Sequence, residues 1–421
     1  MSAIVNFKNY SFRASSHKVK YLEEGFWGIY KEIDNMPLER FDPFRTVVNE
    51  FNTKVGHVTQ FSPIRGKRPF EHEEEEEQEE VIQSPMDDSF CRVVKGELPA
   101  VLLSKDGEIV EHSLSVNSDK INLQDYTAVS IVNLFTPMAR VLYDNALQIE
   151  SVKNKSVGIG IVHLLTKHYD TLSQVPTEEA VKLLTTTQLV QKNSIEELKA
   201  RYNTDKLTVL HFFNIGEESG ASICHLHSQT YIYANDIGHG WTSLGFLSVP
   251  GFHKEYMDDE SYCLACEVAK NGEDLVDPIN QKLLVKERRV FENEEWLVLT
   301  AFSPERDGQL RLIPKRHVSQ FMELDEKQIK YLGEALVKAN KALDNFIKMA
   351  NPGMNLLQDR NILFRQDNVG YNSGMHLMID IIPIQRIGGA EIMETYRIAT
   401  MFPEDVAKIM RESLKEVKKA S

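Results

Sequence analysis

Cysteine is scarce in this 421-residue chain: four residues, Cys91, Cys224, Cys263 and Cys266, are too few and too scattered for a disulfide framework. Positive charge is also in deficit. Lys and Arg number 48 against 62 Asp and Glu, a formal net charge of −14, which leaves no basic footprint for a nucleic-acid partner. No apolar run reaches the roughly 18 residues of a membrane span. The opening MSAIVNFKNYSFRASSHKVK has no apolar stretch of the kind found in signal peptides. The expectation is a soluble, cytoplasmic protein with neither nucleic-acid nor membrane partners.

What remains is an ordinary globular composition, 42% hydrophobic and 26% charged, in a chain long enough for two domains. One segment departs from it. The glutamate run from Glu71 to Glu80 lies between Arg65-Gly66-Lys67-Arg68-Pro69 and Asp88 and reads as a solvated loop.

The stretch Gly220-Ala221-Ser222-Ile223-Cys224-His225-Leu226-His227-Ser228-Gln229 carries the most chemistry. The residues after it, Thr230-Tyr231-Ile232-Tyr233, are β-branched and aromatic and predict a strand. Side chains two apart share a strand face, so His225, His227 and Gln229 are expected to point the same way. The preceding loop offers Ser222 and the N–H groups around Gly220 as a phosphate cradle.

An internal repeat gives the two histidines different roles. In the first half Asn133-Leu134-Phe135-Thr136-Pro137 is followed by Gly158 to His168, an amphipathic helix starting near Thr177, the strand Leu207 to Phe213, and His225. In the second half Leu299 to Pro304 precedes Arg311 to His317, a helix capped by Asp325 and Gln328, the strand Ile362-Leu363-Phe364, and His376. That second helix repeats apolar residues at Ile329, Leu332, Leu336, Ala339, Leu343 and Phe346. His168 stands as far from His225 as His317 does from His376, to within two residues. The spacing implies two related α+β units dividing near residues 250–260.

Cys263-x-x-Cys266, His317 and His376 make a complete Cys2His2 set, read as a closed structural zinc site; its alternative is an unmetallated pair of buried thiols. The first-half counterparts are Asp88, Cys91, His168 and His225, where a carboxylate replaces one thiolate. A carboxylate is an acceptable but harder ligand, so this second set is expected to hold metal more weakly, to take another metal, or to have lost it. With His225 on a metal, His227 remains as a nucleophile for phosphorus, and Gln229 as a donor to a phosphoryl oxygen. The second half has Met378 and Asp380 at these places, so one unit reads as catalytic and the other as scaffold.

Gly-Ala-Ser-x-x-His-x-His-x-Gln resembles the active-site motif of galactose-1-phosphate uridylyltransferases and ADP-glucose phosphorylases, in the histidine-triad (HIT-like) superfamily. The resemblance runs over roughly residues 57 to 417. It includes Arg65-Gly66-Lys67-Arg68-Pro69, Asn133-Leu134-Phe135, Phe213-Asn214, Gly388-Gly389-Ala390-Glu391 and Phe402 to Ala407. It implies two tandem HIT-like units, 1–250 catalytic and 251–421 non-catalytic, each an antiparallel sheet with a long helix. It implies a homodimer that forms a nucleotidyl-histidine on His227 from a nucleoside diphosphate hexose and passes it to a hexose 1-phosphate, as in galactose metabolism. The alternatives are a phosphorylase using inorganic phosphate, on ADP-glucose or a dinucleoside polyphosphate, and a nucleotide-binding protein without turnover. Arg65, Arg68, Asn133, Asn214, Gly220 and Ser222 match positions that hold the nucleotide and its phosphates, and Glu391 a sugar-hydroxyl contact reaching across a dimer. Leu226 replaces the family's frequent proline, and Tyr396-Arg397 depart from the uridylyltransferases' sugar-contacting stretch.

Overall fold

The computed structural model describes residues 37–48, 54–62, 88–98, 100–109, 114–115, 123–133, 135–138, 155–234, 262–271, 275–277, 281–350, 353, 356–394 and 397–420. Arg65, Arg68, the glutamate run and the expected division between units lie outside the described residues. β1 (Leu38–Val48) and β2 (Lys54–Phe61) form a separate antiparallel pair. The other strands make one 12-stranded sheet. Its first-half members are β3 (Ala100–Lys105), β4 (Glu108–Ile109), β5 (Leu114–Ser115), β6 (Ala128–Val132), β7 (Gly158–Leu165), β8 (Thr208–Ile215) and β9 (His227–Tyr233). Its second-half members are β10 (Arg289–Glu292), β11 (Trp296–Thr300), β12 (Leu310–Pro314), β13 (Leu356–Arg365) and β14 (Met378–Gln385).

The strand order displays the repeat. It runs β10-β11-β12-β14-β13-β8-β9-β7-β6-β3-β4, with every neighbouring pair antiparallel. The set β11-β12-β14-β13 is therefore the mirror in order of β8-β9-β7-β6, and the sheet is continuous through β8 and β13. His211 faces Phe364 across that seam, and Phe213 faces Ile362. His211 and Ile362 hold the same place in their respective halves, as do Phe213 and Phe364, so the seam has a two-fold register.

Two long helices cover one face. The second, Glu326–Met349, starts at a capping box in which Asp325 accepts from the Gln328 N–H and Gln328 accepts from the Asp325 N–H. The six apolar positions predicted for it are all buried in the largest core cluster. Gly333 lets the helices approach, because a Cβ there would lie 2.6 Å from Val181 Cγ2. Short helices Ser89–Val94 and Leu264–Asn271 cover the opposite face of the first and second halves.

The first long helix, Thr177–Tyr202, differs from expectation: beside Leu183, Leu184 and Val190 it buries Thr186, Thr187, Gln191 and Ser194. The strands beneath explain why, for they present Ser130, His163, His211 and Thr230, all buried. Burial drives the His211 imidazole down to about 3, against the opposing bond to the Gln229 carbonyl. Burial also drives His163 well below its ordinary value, with His211 adding repulsion. Above about pH 6.5 both are neutral in the folded and unfolded chain and stability is indifferent to them. Below it the unfolded chain takes up protons that the folded core refuses. Stability should then fall with pH, by up to about 1.4 kcal/mol per unit for each histidine. Urea unfolding from pH 7 to 4 measures the slope, and His211→Ile should make it shallower; an identical slope in that variant would contradict the assignment.

Candidate active site and metal centres

Asp88 begins the first metal set by capping the helix Ser89–Val94. Its Oδ1 accepts from the Phe90 and Cys91 N–H groups at 2.8 and 2.9 Å. That leaves Oδ2 aimed at the cluster, 3.1 Å from Cys91 Sγ, 2.9 Å from His168 Nδ1 and 3.6 Å from His225 Nδ1. Cys91 Sγ is 3.5 and 3.4 Å from the same two imidazole nitrogens. A tetrahedral zinc with bonds of about 2.0–2.3 Å separates its ligands by about 3.3–3.8 Å. The Cys91–His168, Cys91–His225 and Asp88–His225 separations match this, while Asp88 Oδ2 sits at hydrogen-bonding distance from His168 and Cys91. Burial pushes the Asp88 carboxyl up, but bonds from His225 and the Cys91 N–H outweigh it and hold the group well below the usual carboxylate range. His225 Nε2 meets the Leu165 carbonyl at 2.7 Å and His168 Nε2 meets Asp170 at 3.1 Å, so both rings turn Nδ1 toward the set.

The second set repeats this frame. Cys263 Sγ lies 3.4 Å from His376 Nδ1, and Cys266 Sγ lies 3.5 Å from His317 Nδ1 and from His376 Nδ1. All four donor atoms lie within 4.8 Å of one another, as they do in the first set. His376 Nε2 meets the Pro314 carbonyl at 3.0 Å, matching His225 on Leu165. Burial pushes the Cys263 thiol up, and hydrogen bonds from His317 and His376 override it and bring it down to about 5. Burial and the neighbouring thiolate push Cys266 up to about 12. Two thiolates this close repel, and both ionise only against a divalent cation.

His227 opens β9, and His225 falls in the loop before it, so the expected shared face holds for His227 and Gln229 but begins one step after His225. The His227 Nδ1–H donates to the His225 carbonyl at 2.8 Å. A carbonyl only accepts, so the neutral ring carries its proton on Nδ1 and its lone pair on Nε2. Phe90 packs edge-on against His227 with centroids 4.9 Å apart and against His225 at 6.2 Å, bracing the His227 ring against the helix Ser89–Val94.

Gln229 is oriented by a chain of donors. The Phe135 N–H donates to Asn133 Oδ1 at 2.9 Å, which fixes that amide. Asn133 Nδ2 then donates to Gln229 Oε1 at 3.3 Å, and the Tyr231 hydroxyl donates to the same oxygen at 2.9 Å. The Gln229 amide nitrogen is thereby set as a donor. Gly160 makes room for this arrangement: a Cβ there would lie 2.4 Å from Thr136 Oγ1 and 3.3 Å from Asn133 Cβ.

Asn133 is thus beside Gln229, and Asn214 Nδ2 lies 3.7 Å from where a Cβ on Gly220 would stand. Ser222 is buried in the same loop. The loop's own N–H groups are used differently from expectation. Ser219 N–H donates to Gly216 O at 3.2 Å and Gly220 N–H to Glu217 O at 2.8 Å, closing a 3-10 turn. The amide of Gly220 is therefore turned inward rather than toward a ligand. Glu391 accepts from the Gly388 and Ile398 N–H groups and pairs with Arg397 at 2.8 Å, contacts that all lie in its own C-terminal segment.

Three residues escaped sequence reasoning. Phe90 stands between Asp88 and Cys91 with no motif of its own. Asn361, in the second half, donates to Asn214 Oδ1 at 2.8 Å and to the Ser219 carbonyl at 3.1 Å, while Asp359 accepts from the Glu218 N–H at 2.7 Å. No motif marks them, because the β8–β13 pairing alone brings them to the loop. In the second half Asp380 stands in place of Gln229 and is clamped by Arg311 at 2.7 and 3.0 Å.

Residues 277–361 match the family described as scavenger mRNA decapping enzyme C-term binding. Galactose-1-phosphate uridylyltransferase of Haemophilus influenzae is 26% identical over 315 residues, covering 74% of this chain and 78% of that protein. ADP-glucose phosphorylase of Arabidopsis thaliana is 24% identical over 359 residues, covering 84% of this chain and 89% of that protein. The crystal structure of an Arabidopsis thaliana ADP-glucose phosphorylase with bound ADP-glucose superposes with a TM-score of 0.58 at 21% identity, over 89% of this chain and 98% of that one. A uridylyltransferase mutant superposes at 0.56 with 19% identity, over 72% and 92%. The α+β fold is that of these proteins. No helix among the described residues is long and apolar enough to cross a membrane.

Proposed function

We propose that this relative of the galactose-1-phosphate uridylyltransferases and ADP-glucose phosphorylases is a nucleotidyltransferase working through His227. Its Nε2 lone pair attacks the α-phosphorus of a nucleoside diphosphate hexose. An N–P bond forms, the bridging P–O bond breaks, and hexose 1-phosphate leaves with the electron pair. The phosphate oxygen of an acceptor then attacks the same phosphorus and displaces His227. The observation that carries this reading is the fixed Nδ1–H of His227 on the His225 carbonyl, beside a Gln229 amide held as a donor.

Asn133, Asn214, Ser222 and the Gly220 turn belong in this reading to the nucleotide and its phosphates, together with Arg65 and Arg68. Glu391 would reach the sugar of a partner subunit in a cytoplasmic homodimer. The Cys263, Cys266, His317, His376 set would hold a structural zinc, and the Asp88, Cys91, His168, His225 set a second metal that fixes the backbone carrying His227.

Two acceptors fit the chemistry. Hexose 1-phosphate makes the protein uridylyltransferase-like, on UDP-hexose; inorganic phosphate makes it a phosphorylase. The second gains support from the similarity to ADP-glucose phosphorylase over 84% of the chain. Incubation with UDP-glucose or ADP-glucose labelled at the α-phosphate, then denaturation in alkali, should leave acid-labile label on the protein. Chasing with galactose 1-phosphate, glucose 1-phosphate or inorganic phosphate should release it to one acceptor far faster than to the others. No label from either donor would overturn the covalent route.

A further inference from the structure

Thr230 follows Gln229 in β9 and points to the opposite, helix-covered face. Three groups meet its hydroxyl. His163 Nε2 lies at 2.9 Å, the Gln191 amide donates at 3.0 Å, and His211 Nδ1 lies at 3.1 Å. His211 Nδ1 also faces the Gln229 carbonyl at 3.1 Å, so it carries the proton and donates. With two donors arriving, the hydroxyl's proton goes to His163 Nε2. His163 Nδ1–H then donates to Ser130 Oγ at 2.6 Å. Every hydrogen-bonding capacity of the Thr230 hydroxyl is filled, from β7, β8 and the long helix Thr177–Tyr202 at once, with Ser130 of β6 holding His163 behind it.

The second half supplies an internal comparison. Cross-strand pairing sets Ser130 opposite His163 and His211 opposite Thr230; it sets Val298 opposite Leu312 and Ile362 opposite Ile381. The same four places are thus polar in one half and aliphatic in the other, and all eight are buried. An aliphatic layer demonstrably packs in this fold, within the main core cluster. The polar layer is the harder one to bury, and it leaves His211 Nε2 and Gln191 Oε1 without a protein partner. Packing therefore does not require it. What separates the two halves functionally is that one strand carries His227 and Gln229 where the other carries Met378 and Asp380.

We infer that Thr230, held by His163, Gln191 and His211, is a positioning residue that sets the pitch and depth of β9 so that Gln229 and His227 meet the α-phosphoryl group. An aliphatic layer packs without direction, whereas hydrogen bonds from three elements fix both height and rotation of the strand. The inference rests on the nucleotidyl-histidine reading.

The test measures the rate of covalent labelling from α-phosphate-labelled donor, at saturating and at limiting donor concentration, in the full-length protein. Thr230→Val should slow labelling at saturation by about 10–100-fold, with the donor KM and metal content little changed; the melting temperature should fall, because Gln191 and His163 lose a buried partner. Thr230→Ser restores the hydroxyl and should recover most of the rate, which a purely packing role would not produce. The block exchange Ser130→Val, His163→Leu, His211→Ile, Thr230→Ile copies the second half; it should fold and label slowly. Labelling by Thr230→Val at the wild-type rate, or Thr230→Ser as slow as Thr230→Val, overturns the inference. Should Thr230→Val not fold, the block exchange decides: wild-type labelling there overturns it, slow labelling upholds it. Wild-type protein that takes no label sinks the nucleotidyl-histidine reading, and this inference with it.

Discussion

His227→Ala should abolish covalent labelling and lower turnover by on the order of 10⁴-fold or more, which corresponds to at least about 5.5 kcal/mol of transition-state stabilisation. The magnitude follows from the route. A double displacement binds each partner in turn at one phosphorus, and without the imidazole the two phosphate compounds would have to react directly, anion on anion. The ring itself is prepared for attack: its proton is held on Nδ1 by the His225 carbonyl at 2.8 Å, so no tautomer must be selected before Nε2 acts. Donor binding should survive, because Asn133, Asn214 and Gln229 are held independently of the ring. Metal content should also be unchanged, since His227 is bonded to the backbone of His225 and not to the donor atoms of the cluster. Intact labelling in His227→Ala, mapped to another residue, would refute the assignment.

The second large effect is expected from Cys266→Ala. It should remove one metal per chain and lower stability by several kcal/mol, seen as a lower melting temperature and urea midpoint. The set joins the helix Leu264–Asn271 to loops at the ends of β12 and β14, through Cys266, His317 and His376. Without the cation, Cys263 and His376 lose what draws them together, and the helix keeps only its packing against Leu283, Leu297, Leu299 and Ile313. Activity should fall less than stability, because this set lies in the half that carries Met378. Element analysis with paired unfolding curves separates the outcomes; unchanged metal content and stability would make Cys263 and Cys266 a pair of ordinary thiols.

The His-x-His-x-Gln spacing, the matching separations of His168–His225 and His317–His376, and the Cys-x-x-Cys pair are local or periodic signals, and they picked out the two groups of four side chains that the structure brings together, with His227 beside the first. The period of the second long helix likewise fixed which face it buries, because six apolar side chains at three- and four-residue steps can be hidden only together. The first long helix resisted the same reasoning. Its buried face holds Thr186, Thr187, Gln191 and Ser194, which a polarity pattern assigns to solvent. Only the strands beneath it, bringing Ser130, His163, His211 and Thr230, make polar residues the right ones to bury.

Tertiary structure alone also decided how the halves cooperate. Pairing of β8 with β13 delivers Asn361 to Asn214 and Asp359 to the Gly216–Gly220 turn, across more than a hundred residues of chain. Tertiary structure also packed Phe90 against both His225 and His227. The physical reason is range. Motif spacing encodes what neighbours along a strand or helix share, so chemistry concentrated in one strand can be read from the sequence. The groups that meet Thr230 in that strand come from three other elements, and their meeting is a property of packing.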